Sequence, residues 1–148
     1  MGKSIRFTNG VYLDSTNVHT KVKTWTPEIS ALNETAPTVT YTSRSGIYYE
    51  IGDLVYIQFY IRGKITALNG SNNFATISGF PISIGGSLGT KVIPIGTLYA
   101  ATESENSPIF LMQGNNVRIQ VNNGAAAVKW KVTTANYFEI AGQGIVAK

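Results

Sequence analysis

The chain has 148 residues, of which 43% are hydrophobic and only 14% are charged, so it can fill one core but is too short for two ordinary domains. It has no cysteine, which excludes disulfides, thiol chemistry and cysteine-ligated metals. Its formal net charge of +4 comes from basic residues scattered singly along the chain. This pattern does not predict a nucleic-acid-binding surface.

Glycine, serine, threonine and asparagine fill the gaps between short apolar runs, which favours many short strands joined by tight turns. We therefore expect an all-β protein with almost no helix. The first residues, Met-Gly-Lys-Ser-Ile-Arg-Phe, hold no apolar segment typical of a secretory signal, and no stretch is long enough to span a bilayer. We expect assembly in the cytoplasm without membrane insertion.

Residues 1–23 are predicted to form a separate hairpin and connector. A three-residue loop that ends in a left-handed glycine pairs Ile5 with Leu13 and Phe7 with Val11, which places all four apolar side chains on one side. A two-residue loop would divide them between two faces. Because a two-stranded ribbon is marginally stable alone, its apolar side is expected to dock on the main domain or on neighbouring chains.

Residues 24–148 are predicted to form the main domain. Strands of its first half are expected at Thr38–Thr42, Ile47–Arg62, Lys64–Ala67 and Asn73–Ile77. The longest of these contains an unbroken alternation, which is typical of a half-buried antiparallel strand. One face of this strand carries Val55, Ile57, Phe59 and Ile61, and the other carries Tyr56, Gln58, Tyr60 and Arg62. We expect the first face to lie in the core.

The second half is predicted to continue as strands and hairpins. These are Lys91–Ala101, Ile109–Met112 turning through Gly114-Asn115-Asn116 into Val117–Val121, Ala127–Val132, and Tyr137–Ile140 before a glycine-punctuated end. Pro94 lacks a backbone donor and so predicts an edge position or a bulge. Trp130 alternates with valines, which indicates a core or subunit contact. About eight to ten strands at this spacing predict an antiparallel β-sandwich.

Three motifs in the first half of the main domain link the chain to a known class of proteins. They are Trp25-Thr26-Pro27, Gly46-Ile-Tyr-Tyr-Glu-Ile-Gly-Asp-Leu-Val55 and Ile77-Ser-Gly-Phe-Pro-Ile82. With them, residues 24–82 resemble the C-terminal head modules of bacteriophage tail fibres, tail spikes and baseplate receptor-binding proteins. The resemblance implies a jelly-roll sandwich, a homotrimer, a packing role for Trp25, and a location at the tail tip or baseplate of a virion.

The sequence gives little support for catalysis. Glycoside hydrolysis normally needs two positioned carboxylates, and the closely spaced pair Glu103 and Glu105 lies in a polar loop where both acids are expected to be solvated. His19 is the sole histidine, so a multi-histidine site is excluded, and no catalytic motif accompanies it. We expect no enzymatic activity, no cofactor and no metal centre. A bound calcium ion stays an alternative, because loops that contain Asp and Asn offer oxygen ligands.

Aromatic residues supply the candidate ligand site. Saccharides stack on tyrosine or tryptophan rings and are held by neighbouring polar side chains, and Tyr56, Tyr60 and Arg62 fit this description on the outer side of the long strand. The same face could instead be buried against a second subunit, because interfaces also favour tyrosine and arginine. Polar loops form a further candidate set at one end of the sandwich: Asn72, Asn73, Glu103, Glu105, Asn106, Asn115 and Asn116.

The preferred hypothesis is a tail head module that binds a bacterial cell-wall or surface polysaccharide without cleaving it, as a trimer whose repeated sites give avidity. A structural virion module, which serves only for trimerisation or attachment to other tail or baseplate proteins, is the first alternative. The second is an accessory carbohydrate-binding domain of a polysaccharide-degrading tail spike.

Overall fold

The computed structural model describes residues 5–6, 12–13, 21–71, 73–85, 92–93, 95–99, 108–121, 128–132 and 137–148. These residues contain strands and turns and no helix. The strands are β1 (Ile5–Arg6), β2 (Tyr12–Leu13), β3 (Lys23–Trp25), β4 (Glu28–Ala31), β5 (Thr38–Ile51), β6 (Leu54–Ala67), β7 (Ala75–Ser78), β8 (Val92–Ile93), β9 (Ile95–Tyr99), β10 (Pro108–Gln113), β11 (Asn116–Val121) and β12 (Phe138–Ala147). In the part of the chain that is described, no helix could cross a membrane.

The main domain consists of two antiparallel sheets of five strands each. The front sheet has the order β3-β5-β6-β12-β9, and the back sheet has the order β4-β7-β11-β10-β8. Side chains from both sheets meet in one hydrophobic cluster. The predicted all-β antiparallel sandwich is therefore confirmed, whereas the jelly-roll connectivity stays a prediction.

The core follows from the alternation along β6. Val55, Ile57, Phe59 and Ile61 are each at most 2% exposed, as the sequence predicts. The Phe59 ring meets Phe110 of the back sheet edge to face, with ring centroids 6.1 Å apart. Burying side chains of this size contributes roughly 1.5–3 kcal/mol each to folding. These residues thus fix which face of β6 points inward.

Two glycines flank Phe59 on the neighbouring strands. Gly46 of β5 and Gly142 of β12 both pair with Phe59. A Cβ atom at Gly142 would lie 2.5 Å from Cζ of Phe59, and one at Gly46 would overlap the indole ring of Trp25. The rings of Phe59 and Trp25 therefore occupy the space that side chains at these two positions would need.

The single long strand predicted over Ile47–Arg62 is wrong, because the chain reverses at Gly52-Asp53. These two residues join β5 to β6, and Ile51 pairs with Leu54 on either side of the turn. Gly52 has a φ of 58°, a left-handed conformation that glycine adopts without steric cost. The separate strand predicted at Lys64–Ala67 is instead the continuation of β6.

The last strand is longer than predicted. It was expected to end at Ile140, but β12 continues to Ala147 and pairs with β6 along its whole length. Glycines usually weaken a strand, yet Gly142 and Gly144 are buried in this one. At Gly142 the ring of Phe59 fills the space above the backbone, which compensates for the missing side chain.

Three further predicted strands differ from the structure. The strand near Thr38–Thr42 is the first part of the continuous β5. The strand predicted at Lys91–Ala101 is divided between the two sheets, as β8 and β9. Of the strand predicted at Ala127–Val132, residues 128–132 are described and form an isolated bridge between Lys129 and Phe74.

The predicted hairpin of the back sheet and the N-terminal register are confirmed. Strands β10 and β11 form a hairpin through Gly114-Asn115. Ile5 pairs with Leu13 in the predicted register, whereas the Phe7–Val11 pair and Pro94 lie outside the described residues. Strands β8 and β9, on either side of Pro94, are both edge strands. The division into residues 1–23 and 24–148 stays a prediction.

Both tryptophans pack in the core. Trp25 is 7% exposed and meets Phe59 and Phe80 edge to face, and Trp130 is fully buried beside Phe138. The packing role expected for Trp25 is thus confirmed, and Trp130 occupies the core alternative of its two predicted positions.

Tyr41 connects the edges of the two sheets. Its hydroxyl accepts a hydrogen bond of 2.8 Å from the backbone N–H of Ile29 in β4. The guanidinium of Arg44 lies 4.3 Å from the centroid of the Tyr41 ring and forms a 2.8 Å ion pair with Glu28. Burial raises the pKa of Tyr41 despite these contacts, so its hydroxyl stays neutral and holds the edge of β4.

Candidate ligand-binding face

The outer face of the front sheet carries three of the predicted candidate residues, Tyr56, Tyr60 and Arg62. Tyr56 and Tyr60 are half-buried on this face of β6, while Gln58 and Arg62 are exposed. Their cross-strand neighbours come from β5 and β12, two strands that lie far from each other in the sequence. The structure therefore adds side chains to the face that the alternation of β6 alone did not identify.

Tyr56 belongs to a small aromatic and amide cluster. Its ring stacks on that of Tyr49, with centroids 4.8 Å apart and an interplanar angle of 22°. Its hydroxyl can donate to Oε1 of Gln58 at 3.2 Å or to Oε1 of Gln143 at 3.4 Å. These contacts hold the Tyr56 ring in one orientation, and both amides retain N–H donors for another partner.

A shallow depression of about 110 Å³ lies beside Tyr60 on the same face. Its walls are Ser45 and Ile47 from β5 and Gln58 and Tyr60 from β6, and its floor is the paired backbone of Gly46 and Phe59. Because the depression combines an aromatic ring, an aliphatic side chain, a hydroxyl and an amide, it can contact a ligand that is partly apolar and partly polar.

Arg62 lies one row beyond the depression and does not line it. Its guanidinium is 5.8 Å from the ring centroid of Tyr137, and its cross-strand neighbours are Ser43 and Glu139. Tyr60 therefore lines the depression, and Tyr56 lies in the next row toward the turn. Arg62 lies in the row on the opposite side of Tyr60.

The predicted loop residues that the structure describes do not join this face. Asn115 lies in the turn between β10 and β11 of the back sheet, and Asn116 begins β11, where its Nδ2 donates to Oδ1 of Asn115 at 3.4 Å. Asn73 is only 4% exposed; its backbone N–H donates to Glu34 and its side chain donates to the carbonyl oxygen of Gly70. Glu103, Glu105, Asn106 and Asn72 lie outside the described residues.

The turn end of the outer face is apolar. Ile51, Leu54 and Ile145 have exposed fractions of 53%, 45% and 58%. Ile51 pairs with Leu54, and Ile145 pairs with Tyr56, so the three lie in adjacent rows of neighbouring strands. Grouped apolar side chains at such exposure are typical of surfaces that contact another molecule.

Glu50 of β5 forms ion pairs with two lysines. Hydrogen bonds from Lys148, and secondly from Lys23, lower the pKa of Glu50 below its usual value. The Nζ atom of Lys23 lies 3.0 Å from Oε1 of Glu50, and Lys148 binds Oε2. Within the described residues, no three His, Cys, Asp or Glu side chains come together as metal ligands would.

Sequence reasoning missed Tyr49, Ser45, Ile47 and Gln143. A turn at Gly52-Asp53 would have placed Tyr49 opposite Tyr56 and Ile47 opposite Gln58, so recognition of that turn was the missing signal for the β5 residues. Gln143 comes from a strand that was not predicted to extend so far.

Comparisons of the chain with protein-family models, with curated proteins and with solved structures gave no match.

Proposed function

We propose that this protein is a bacteriophage tail receptor-binding module that recognises a bacterial surface saccharide without cleaving it. The observation that carries the saccharide part is the outer face of the front sheet, where Tyr60 borders a depression lined also by Ser45, Ile47 and Gln58. The phage context, the location at a tail tip or baseplate and the trimeric state rest on the motifs that resemble tail head modules.

The chemistry of this face suits sugars. A pyranose ring presents a C–H face that packs on an aromatic ring, and its hydroxyls need partners that both donate and accept hydrogen bonds. Gln58, Gln143 and Ser45 supply neutral groups of this kind beside Tyr56 and Tyr60. A flat, partly polar surface binds each sugar weakly, so three copies in a homotrimer would gain affinity through avidity.

Binding to a host polysaccharide tests the proposal. We expect the purified protein to bind cell-wall or capsular polysaccharide of its host, and Tyr60→Ala to weaken binding by about 1–3 kcal/mol, the cost typical of removing a ring at a binding hot spot. Tyr137→Ala serves as the control, since Tyr137 is an exposed tyrosine that does not line the depression. Equal affinities for the wild type and Tyr60→Ala would contradict the proposed site.

The same incubation tests the absence of catalysis. We expect no increase in reducing ends when the protein is held with the polysaccharide that it binds. Sustained release of fragments by the purified chain would contradict a purely binding role.

A structural virion module is the second candidate, and the exposed Ile51, Leu54 and Ile145 favour it. In that case the outer face would contact another subunit or another tail protein. Leu54→Asp should then dissociate the oligomer in light scattering, and the wild-type protein should have no affinity for host polysaccharide. The receptor-binding proposal predicts instead that the wild type binds and that Tyr60→Ala weakens this binding.

A further inference from the structure

We infer that the depression beside Tyr60 holds the N-acetyl group of an amino sugar, so that the saccharide recognised by this face is an N-acetylated one. This inference rests on the proposed saccharide-binding function and specifies the class of sugar. It follows from the size, polarity and rigidity of the depression, which are independent properties.

The size of the depression favours a substituent over a whole sugar. Its volume is about 110 Å³, roughly the space that four water molecules occupy in the liquid. Pockets that enclose a whole drug-sized ligand usually measure about 300–1,000 Å³. An acetamido group is small enough to enter, while the pyranose ring that carries it would remain outside, beside Tyr60.

The lining of the depression is neutral and of mixed polarity. Ser45 and Gln58 can each donate and accept a hydrogen bond, and Ile47 and the Tyr60 ring offer apolar contact. An acetamido group has the complementary parts, since its N–H donates, its carbonyl oxygen accepts and its methyl group is apolar. A plain hydroxyl would fill only part of this space and would leave the apolar wall without a partner.

An anionic substituent fits less well. None of the described residues that line the depression is charged, and Arg62 lies on the far side of Tyr60, where its guanidinium faces Tyr137. A phosphate or carboxylate in the depression would lose hydration without gaining a cationic partner, which is unfavourable. The neutral amide of an N-acetyl group has no such cost.

The floor of the depression is held from beneath. It is the backbone of Gly46 and Phe59, which pair across β5 and β6. On the inner side, Trp25 covers Gly46, and Phe59 is 2% exposed in the core. The four wall residues belong to two rows of side chains about 7 Å apart along the strands. The depression therefore exists before binding, which reduces the entropy cost of recognition.

Three matched pairs of monosaccharides provide the test: N-acetylglucosamine with glucose, N-acetylgalactosamine with galactose, and N-acetylmannosamine with mannose. Binding to the wild-type protein is measured by NMR titration. We expect at least one acetylated sugar to bind tenfold or more tightly than its partner, and saturation transferred from the protein to be strongest at the acetyl methyl protons.

Two serine-to-leucine variants test whether the depression causes the preference for the acetylated sugar. Ser45→Leu should fill the depression and remove the preference for the acetylated sugar, while Ser43→Leu, at an exposed position on the same face of β5, should leave it intact. Gln58→Met keeps the side-chain length without the amide and should reduce the preference, which provides a second test if Ser45→Leu proves unstable. Retention of the full preference by a folded Ser45→Leu or Gln58→Met variant would overturn the inference.

The outcomes separate this inference from the proposed function. If acetylated and non-acetylated sugars bind equally well, the N-acetyl inference is wrong and the saccharide-binding function stands. If no sugar of any pair binds and host polysaccharide does not bind either, both are wrong. If host polysaccharide binds while none of the six sugars does, the inference alone is overturned.

Discussion

The two faces of β6 alternate residue by residue, but different partners constrain them. On the inner face, Phe59 is enclosed by Phe110 from the opposite sheet, Trp25 and the glycine at position 142. On the outer face, the adjacent Gln58 is exposed and contacts the hydroxyl of Tyr56. Packing constrains the residues of the inner face, so substitutions there should change the stability of the fold. The outer face lacks this constraint, so its residues can vary to suit a ligand.

The contrast matters because one strand serves both purposes. Side chains in a close-packed core occupy single rotamers, and a strand that presents them is held in position along its length. The outer residues of β6 inherit this fixed backbone without contributing to the core. The inward residues, which alternate with the outward ones, thus hold the backbone of the outward residues in place, as a ligand-binding face requires.

The largest expected difference in stability is between a truncation on the inner face of β6 and one on its outer face. Phe59→Ala should lower the free energy of unfolding by about 3–5 kcal/mol, because it removes buried contacts and leaves a cavity. Gln58→Ala should change it by no more than about 0.5 kcal/mol, as is usual for exposed positions. Chemical denaturation of both variants measures the difference. Similar losses for the two would show that the outer face is also buried, as in a subunit contact.

A glycine that lacks space for a side chain gives the next largest effect. Gly142→Ala should destabilise the fold by about 1–3 kcal/mol, since the added methyl group would overlap the ring of Phe59. Gln143→Ala is the control on the adjacent, outward position of the same strand. A Gly142→Ala variant as stable as the wild type would mean that Phe59 can move aside, and the floor of the depression would then be less rigid than proposed.

The alternation of β6 was predicted from the sequence, but its pairing with β5 was missed. A continuous strand keeps residues of one parity on one face, whereas inward residues are even-numbered at Gly46 and Tyr48 and odd-numbered at Val55 and Ile57. This change of parity is produced by the two-residue turn. Glycine at the first position of a two-residue loop is typical of hairpin turns, so Gly52-Asp53 carries a signal for this reversal that the prediction of one long strand overlooked.

The predicted positions of the candidate residues on β6 are confirmed, while their neighbours were missed and their role as a ligand site stays a prediction. Alternation alone places Tyr56, Tyr60 and Arg62 on one side of β6, and the structure places them there. Ser45 and Gln143 reach the same face only through the registers of β5 and β12, which depend on tertiary packing. The buried glycines of β12 illustrate the same limit, because the ring that compensates for one of them lies about 80 residues earlier in the chain.

The smallest expected effect concerns the end of the inner face, where Glu50 pairs with Val55 and binds Lys148 and Lys23. These lysines lower the pKa of Glu50 in the folded state, so the unfolded state binds more protons at acidic pH. The ion pairs therefore contribute their full stability above the pKa that Glu50 has when unfolded. This contribution should be lost as the pH falls through the lowered pKa. Glu50→Gln should therefore reduce the melting temperature slightly near neutral pH and hardly at all in acid, and added salt should shrink the neutral-pH difference by screening. Melting curves of the wild type and of Glu50→Gln, from neutral pH to below the lowered pKa of Glu50, measure the effect. A difference in melting temperature that widens on acidification would contradict the role of the two lysines.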